Sequence, residues 1–308
     1  VSENRTHFFG GFSRKTWPAV SLPAAEALGA VMAFSVRAGG YSPPPFDSLN
    51  FSRTEGDAPY NVRRNLAVFS EAIGLDAGRI VFARQIHQDK IQLVTSTRLA
   101  PQEADAMITA EPGVILAVKT ADCLPILLLD PVHKIAAVVH AGWKGTVLRI
   151  TRKVLRRLRQ EFRTDPADLL VALGPVIGPC CYAVDDTVLF PLRKAFPHSE
   201  RFVQSPERLS QDKAVPIDDR PTTEDCQRDG ARQNMDKPSG SASFGTVLTG
   251  PRLDIPGANR YELMAEGVRE GNIHDVALCT ACHPELFFSH RRDRGRTGRH
   301  IAVVGFRP

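Results

Sequence analysis

The sequence predicts a single domain that mixes strands and helices. Three observations carry this. Short apolar runs rich in β-branched residues alternate with stretches of helical period. Such runs occur on both sides of one long polar stretch, so one domain is interrupted rather than two being joined. The chain has 308 residues, 43% hydrophobic and 24% charged, an ordinary globular balance that excludes a collagen, a coiled coil or a wholly disordered chain.

In chain order, residues 31–36 read as a strand. Residues 60–73 read as a helix closed by Gly74, the residue that tolerates the left-handed turn after a helix. Residues 80–84 and 91–95 read as strands. Three compact runs follow at 114–118, 124–129 and 135–140, whose length and composition favour buried strands. Residues 149–159 carry Arg149, Arg152, Lys153, Arg156, Arg157 and Arg159, with Ile150, Val154, Leu158 and Phe162 spaced every four positions. That is an amphipathic helix with a basic, solvated face. A strand at 169–173, a helix at 258–270 and strands at 273–279 and 301–304 complete the pattern. Residues 204–246 are poor in apolar side chains and rich in Pro, Ser and Gly, so they are expected to form a mobile surface insertion. The expected organisation is an N-terminal extension over 1–30 and one catalytic domain over 31–308, interrupted at about 204–246.

The net charge of +5 raises nucleic acid as a partner. No aromatic residue is interleaved with the basic run to stack on bases, so a specific nucleic-acid interface is not expected, although a basic binding module is a rival reading. Six cysteines in a chain of this length do not make a disulfide scaffold. No run of apolar residues is long enough to span a membrane, and no signal layout is evident; the expectation is a cytoplasmic protein without a membrane partner.

Several residues could carry chemistry. His87, Cys123 and His140 each lie at a junction of strand and loop. Imidazole nitrogens and a thiolate suit zinc, and three protein ligands leave a position open for chemistry. They lie too far apart in sequence for a local zinc-finger pattern. The plain alternative is a core histidine and a small buried thiol. Two Gly-Pro pairs in Gly174-Pro175-Val176-Ile177-Gly178-Pro179 force a turn ahead of Cys180 and Cys181, which are not assigned as ligands. Arg291, Arg292 and Arg299 offer guanidinium forks suited to phosphate, or a solvated charged loop. Cys279-Thr280-Ala281-Cys282-His283 fits a c-type haem attachment pattern, but no export signal supports it and no second Cys-x-x-Cys completes a zinc site.

Taken together, the segments resemble the laccase-domain family of polyphenol-oxidase-like proteins, now regarded as purine nucleoside phosphorylases. Thr120-Ala121-Asp122-Cys123-Leu124-Pro125 followed by His140-Ala141-Gly142-Trp143-Lys144-Gly145 is the specific pairing. Gly39-Gly40-Tyr41-Ser42, Gln85-Ile86-His87, Ala104-Asp105-Ala106, the Gly174–Tyr182 stretch, Phe287-Phe288-Ser289 and Thr297-Gly298-Arg299 match in the same order. The resemblance implies a single α+β domain with mixed β-sheets sandwiched between helices. It implies a metal site of His87, Cys123 and His140. The implied activities are phosphorolysis of adenosine, inosine and methylthioadenosine to the free base and ribose 1-phosphate, and adenosine deamination. The implied partners are purine nucleosides and phosphate, and the implied cofactor is zinc, with copper in an older description of the family.

On this reading Asp122 and Cys123 are the catalytic candidates, Asp122 as a proton shuttle or a support for the metal ligands. Asn50 is the candidate nucleoside contact, and Arg291, Arg292 and Arg299 are the candidate phosphate contacts. The sequence departs from the family at Leu66 after Asn65, where Arg63 or Arg64 would have to substitute, at Ala183 after Cys-Cys-Tyr, and at His290 after Phe-Phe-Ser. Three further rivals are a cysteine hydrolase with Cys123 as nucleophile and His140 as base, a peptidoglycan-precursor editing enzyme, and a copper polyphenol oxidase. The last would need more gathered histidines than the sequence offers.

Overall fold

The computed structural model describes residues 19–205 and 250–308. Its strands are β1 (Ala19–Ser21), β2 (Ala30–Ser35), β3 (Ile80–Phe82), β4 (Ile91–Leu93), β5 (Ala106–Thr109), β6 (Ile115–Thr120), β7 (Leu124–Asp130), β8 (Ile135–Ala141), β9 (Leu170–Leu173), β10 (Val203–Gln204), β11 (Arg252–Leu253), β12 (Ile273–Asp275) and β13 (His300–Phe306). The helices are α1 (Pro23–Ala27), α2 (Pro59–Ala72), α3 (Trp143–Val147), α4 (Ile150–Phe162), α5 (Asp186–Ala195) and α6 (Ile255–Ala265).

Two mixed sheets form the centre. One has the order β1-β2-β13-β6-β3 and the other β12-β9-β7-β8-β5-β4, and β10 and β11 form a small separate ribbon. Side chains on β7 alternate between two cores, as a strand's period of two requires. Leu127 and Leu129 face the other sheet and pack with Met32, Val118 and Ala302. Ile126 and Leu128 face outward and pack with Ile150, Val154, Leu158 and Leu263 of the helices. On the far side, Val31, Ala117 and Val303 pack against Phe69 of α2. The result is a single α+β sandwich of helix, sheet, sheet and helix. Central strands buried on both faces read as unbroken apolar runs, which is why they were legible.

The structure adjusts several expectations. Residues 1–18 lie outside the described residues, but within the expected N-terminal extension β1 pairs antiparallel with β2, Val20 opposite Phe34, so Ala19–Ser21 join the sheet, and α1 follows. Apart from Gln204 and Ser205, the expected insertion lies outside the described residues. The helix expected at 258–270 starts earlier, at Ile255, where the Asp254 carboxylate accepts from the Gly257 N–H at 2.9 Å. The strand expected over 273–279 stops at Asp275. The basic face of α4 is not simply solvated. Arg149 pairs with Glu262, and Arg152 (2.6 Å), Arg156 (3.4 Å) and Arg159 (3.7 Å) pair with Glu266 beside α6. Those arginines lock two helices together.

Candidate active site

Strand pairing gathers the site. β7 and β8 are antiparallel with Pro125 opposite His140, so Cys123, just before β7, lies beside the end of β8. β5 pairs with β8 on its other side, Ala106 opposite Val139, which sets Asp105 next to His140. The His140 N–H donates to the Asp105 carbonyl at 2.7 Å. The loop between β3 and β4 brings His87 to the same end. The ligand atoms of His87, Cys123 and His140 lie within 4.8 Å of one another, and the two imidazoles meet edge to face with centroids 4.9 Å apart.

Asp105 organises this group. Its carboxylate accepts the backbone N–H of Ile86 (3.1 Å), His87 (3.0 Å) and Gln88 (2.8 Å), and lies 2.8 Å from His140 Nδ1. One buried carboxylate therefore holds both histidines: one by its backbone, where His87 has φ 56°, the other by its ring. With Nδ1 engaged, Nε2 is the ring nitrogen of His140 left for a ligand, the arrangement in which a carboxylate orients a metal-binding imidazole. Burial works to raise the Asp105 carboxyl, but the bonds from His140 and from the loop amides outweigh it and lower its pKa. Asp105 carried no role in the sequence reading, although it sits in a matching motif.

Gly142 allows the close packing here. A Cβ on it would lie 2.8 Å from Cys123 Sγ, so only glycine lets the start of α3 sit against the thiol. Burial would raise the Cys123 thiol, but the charge and hydrogen bond of His140, with a further bond from His87, bring it down to about 6. Burial would lower His140, yet Cys123 and Asp105 raise it to about 9. The donor set fits a borderline-soft ion. Zinc at its usual bond lengths needs ligand separations of about 3.3–3.6 Å, within reach of atoms already this close.

The three residues line a cavity of about 650 Å³, a size suited to a small-molecule ligand. Trp143, Tyr182 and Ile177 give it apolar and aromatic walls, and Lys119, Arg291 and Arg299 give it cations. Burial lowers the pKa of Lys119, and the charges of Arg53 and Arg299 lower it further. Arg299 pairs with Glu55 at 2.9 Å, and the Arg291 guanidinium stacks over Tyr182, 5.1 Å from the ring centroid. Asp122 also lines the cavity. Its carboxylate accepts from Thr280 Oγ1 and the Arg291 N–H, both at 2.6 Å, and burial raises its pKa despite them. His290 reaches the cavity, while Ala183 accepts from Arg291 through its carbonyl at 3.1 Å.

Two of the candidate substrate contacts turn into the chain in this structure. Asn50 is fully buried and does not line the cavity; its side chain binds Asp57 (2.8 Å), the Ser52 backbone and the Arg299 N–H (2.9 Å). Arg292 is engaged with the carbonyls of Thr280 (2.8 Å) and Phe287 (2.9 Å) and with Asp293, so its fork is used up by the chain itself. Asn65 is also buried and bonds Ser42 and the Ser48 and Asn50 carbonyls. Arg64 stacks on Tyr41, 3.4 Å from the ring centroid. The polar spacing was readable; the inward direction of these groups was not.

Fold and site together define a two-sheet α+β enzyme-like sandwich with a metal-ligand cluster at the floor of one cavity. Comparison places the chain more closely. The family described as "Multi-copper polyphenol oxidoreductase laccase" matches residues 31–218 and 223–307, and the chain belongs to this laccase-domain family. The protein named Purine nucleoside phosphorylase YlmD from Geobacillus stearothermophilus is 35% identical over 91% of this chain and 91% of its own length. A purine nucleoside phosphorylase of Deinococcus radiodurans is 32% identical over 94% of each chain. The crystal structure of Geobacillus stearothermophilus YlmD superposes with a TM-score of 0.76 at 31% identity, covering 97% of this chain and all of that one.

Proposed function

We propose that this chain is a zinc-dependent purine nucleoside phosphorylase that also deaminates adenosine. The observation that carries the reading is the convergence of His87, Cys123 and His140 on the floor of a small-molecule-sized cavity with cations on its walls. The names of the relatives support the substrate class.

His87, Cys123 and His140 hold the metal, and Asp105 fixes both histidines. Zinc bound there supplies Lewis acidity toward a substrate or water oxygen. Trp143 and Tyr182 present aromatic faces for the purine. Arg299, Arg291 and Lys119 supply positive charge for phosphate, and burial strengthens that attraction. Asp122 stands beside the ligand Cys123 and shapes the wall through Thr280 and Arg291; its catalytic role is as a proton carrier to the base. Adenosine incubated with and without phosphate, followed by chromatography, tests the reading. Phosphate-dependent adenine and ribose 1-phosphate, with inosine from deamination, are expected. Metal-loaded protein that yields none of these would reject it.

A second reading has one specific observation behind it. Cys123, His140 and Asp105 also form a thiol–imidazole–carboxylate chain, the arrangement of a cysteine nucleophile. An acyl probe that labels Cys123 in metal-free protein, and turnover that survives metal removal, would favour it. The copper-oxidase reading is weaker. The two metal-capable clusters among the described residues contain only two histidines between them.

A further inference from the structure

The cysteines outside the cavity form a second cluster. Cys180 and Cys181 lie in the turn after β9, and Cys279 and Cys282 in the loop after β12. β9 and β12 pair in parallel, Val171 with Ile273 and Leu173 with Asp275, so their ends emerge side by side. A further bridge joins Val176 to Cys279, and the Thr280 N–H donates to the Val176 carbonyl at 3.0 Å. The Cys181 and Tyr182 N–H groups both donate to the Gly178 carbonyl at 3.0 Å, which curls the turn tightly. The two adjacent thiols consequently reach the same point: Cys180 Sγ and Cys181 Sγ are each 3.5 Å from Cys282 Sγ. The Gly178 N–H donates to Cys279 Sγ at 3.3 Å. All four sulfurs lie within 4.8 Å of one another.

We propose that Cys180, Cys181, Cys279 and Cys282 form a four-thiolate site for zinc or an ion of like softness, open when Cys282 is reduced. A tetrahedral zinc with sulfur arms of its usual length requires sulfur–sulfur edges of about 3.8 Å. The observed separations, 3.5 Å for two pairs and at most 4.8 Å for the rest, bracket that value. Four thiolates around a divalent ion leave two negative charges. The Arg252 guanidinium lies against the cluster, donating to the Cys180 carbonyl and, at 3.5 Å, to that of Pro179.

Cys282 is disulfide-bonded in the structure, and that state excludes the ion. A dithiol reductant converts the disulfide to two cysteine thiols and is itself oxidised to its own disulfide. The four thiols then release their protons as the ion binds. Reduction thus opens a metal clip that the disulfide form cannot make. The clip would join two loops that meet at the cavity: Ile177 N–H donates to the Asp122 carbonyl at 3.0 Å, and Thr280 Oγ1 to the Asp122 carboxylate at 2.6 Å. Redox state at the cluster would therefore govern how firmly one wall of the cavity is held.

The test uses the full chain carrying His87→Ala and His140→Ala, which disables the cavity site and leaves the cluster alone. After anaerobic reduction with dithiothreitol and exposure to zinc, metal per chain is measured, and cobalt replaces zinc for spectroscopy. About one equivalent is expected, with the intense thiolate-to-cobalt absorption and tetrahedral bands of a four-sulfur site. Adding Cys279→Ser should weaken retention by roughly tenfold or more, and reoxidation with diamide should release the ion. Should Cys279→Ser fail to fold, Cys180→Ser reads out the same loss. Reduced protein that binds no ion, a cobalt spectrum without several thiolates, or retention that survives either the serine change or reoxidation would each overturn the proposal.

Discussion

Asp105 and Asp57 are both buried carboxylates whose hydrogen bonds overcome burial and lower their pKa, yet only Asp105 serves an open site. Asp57 accepts from Ser42 Oγ (2.5 Å), Asn50 (2.8 Å) and Asn61 (3.2 Å), and Asn65 joins the same network through Ser42. Asn50 and Asn65 direct their amides to acceptors within the chain, so the network closes on itself. Around Asp105 the bonds stop one atom short of closure. They hold the backbone of His87 and one nitrogen of His140, leaving the remaining ligand atoms with Cys123 at the cavity. A hydrogen-bonded network becomes framework when its polar groups find partners inside it, and becomes a site when donors are left over in a fixed direction.

The comparison can be broken most forcefully at the ligands. His140→Ala should abolish stoichiometric metal at the cavity and lower nucleoside turnover by more than about a hundredfold, beyond the cost of losing an outer contact. Metal counting and initial rates check this. Asp105→Asn comes next: it should weaken metal retention by about ten- to a hundredfold, because both histidines lose their anchor while the ligands themselves remain. A competition titration with a chelator reads that shift.

Asp57→Ala sharpens the other side. It should cost ~1–3 kcal/mol of stability by removing the buried acceptor shared by Ser42, Asn50 and Asn61, while metal content and kcat stay unchanged. Denaturant unfolding beside steady-state kinetics separates the two, and a change in KM at constant stability would return Asn50 to the substrate. The last expected effect, at His300, is read in the pH dependence of stability. Burial, then the charges of Arg37, Arg292 and Arg299, hold its pKa down to about 3, and the Phe288 N–H donates to its Nε2 at 2.7 Å. The unfolded chain takes up a proton near the ordinary value of 6.5, so the contribution is fully present above that pH and is lost as pH falls toward about 3. Melting temperatures across that window should fall less steeply in His300→Gln than in the unaltered chain.

Much of the fold was legible because its strands are buried on both faces. β2, β6, β7, β8 and β13 read as compact apolar runs, and α2 and α4 show a helical stripe with Gly74 just past the first of them at φ 66°. The missed elements are short or ambiguous. β5 has four residues, α3 has five, and α5 carries Pro191 in its interior. None offers enough periodicity to stand apart from a loop. At the site, His87, Cys123 and His140 were named through the motifs that hold them. Asp105 was not, because a carboxylate beside an apolar strand looks the same whether it faces water or two histidines. The cysteines at 180, 181, 279 and 282 read as two separate pairs in sequence, since their meeting depends on the parallel pairing of β9 with β12.

By itself, then, the sequence determined the class of the fold, the family, and which side chains have the chemistry to bind a metal or an anion. These follow from local composition, period and motif order, which need no knowledge of distance. The tertiary structure decided which of those groups face a cavity and which face the chain. It placed Arg299 and Lys119 on the wall while turning Asn50 and Arg292 inward, and it gathered four cysteines that the sequence keeps a hundred residues apart in pairs. The reason is physical: a polar group is settled by the nearest partner in space, and in a sandwich of mixed sheets that partner is chosen by strand order and register.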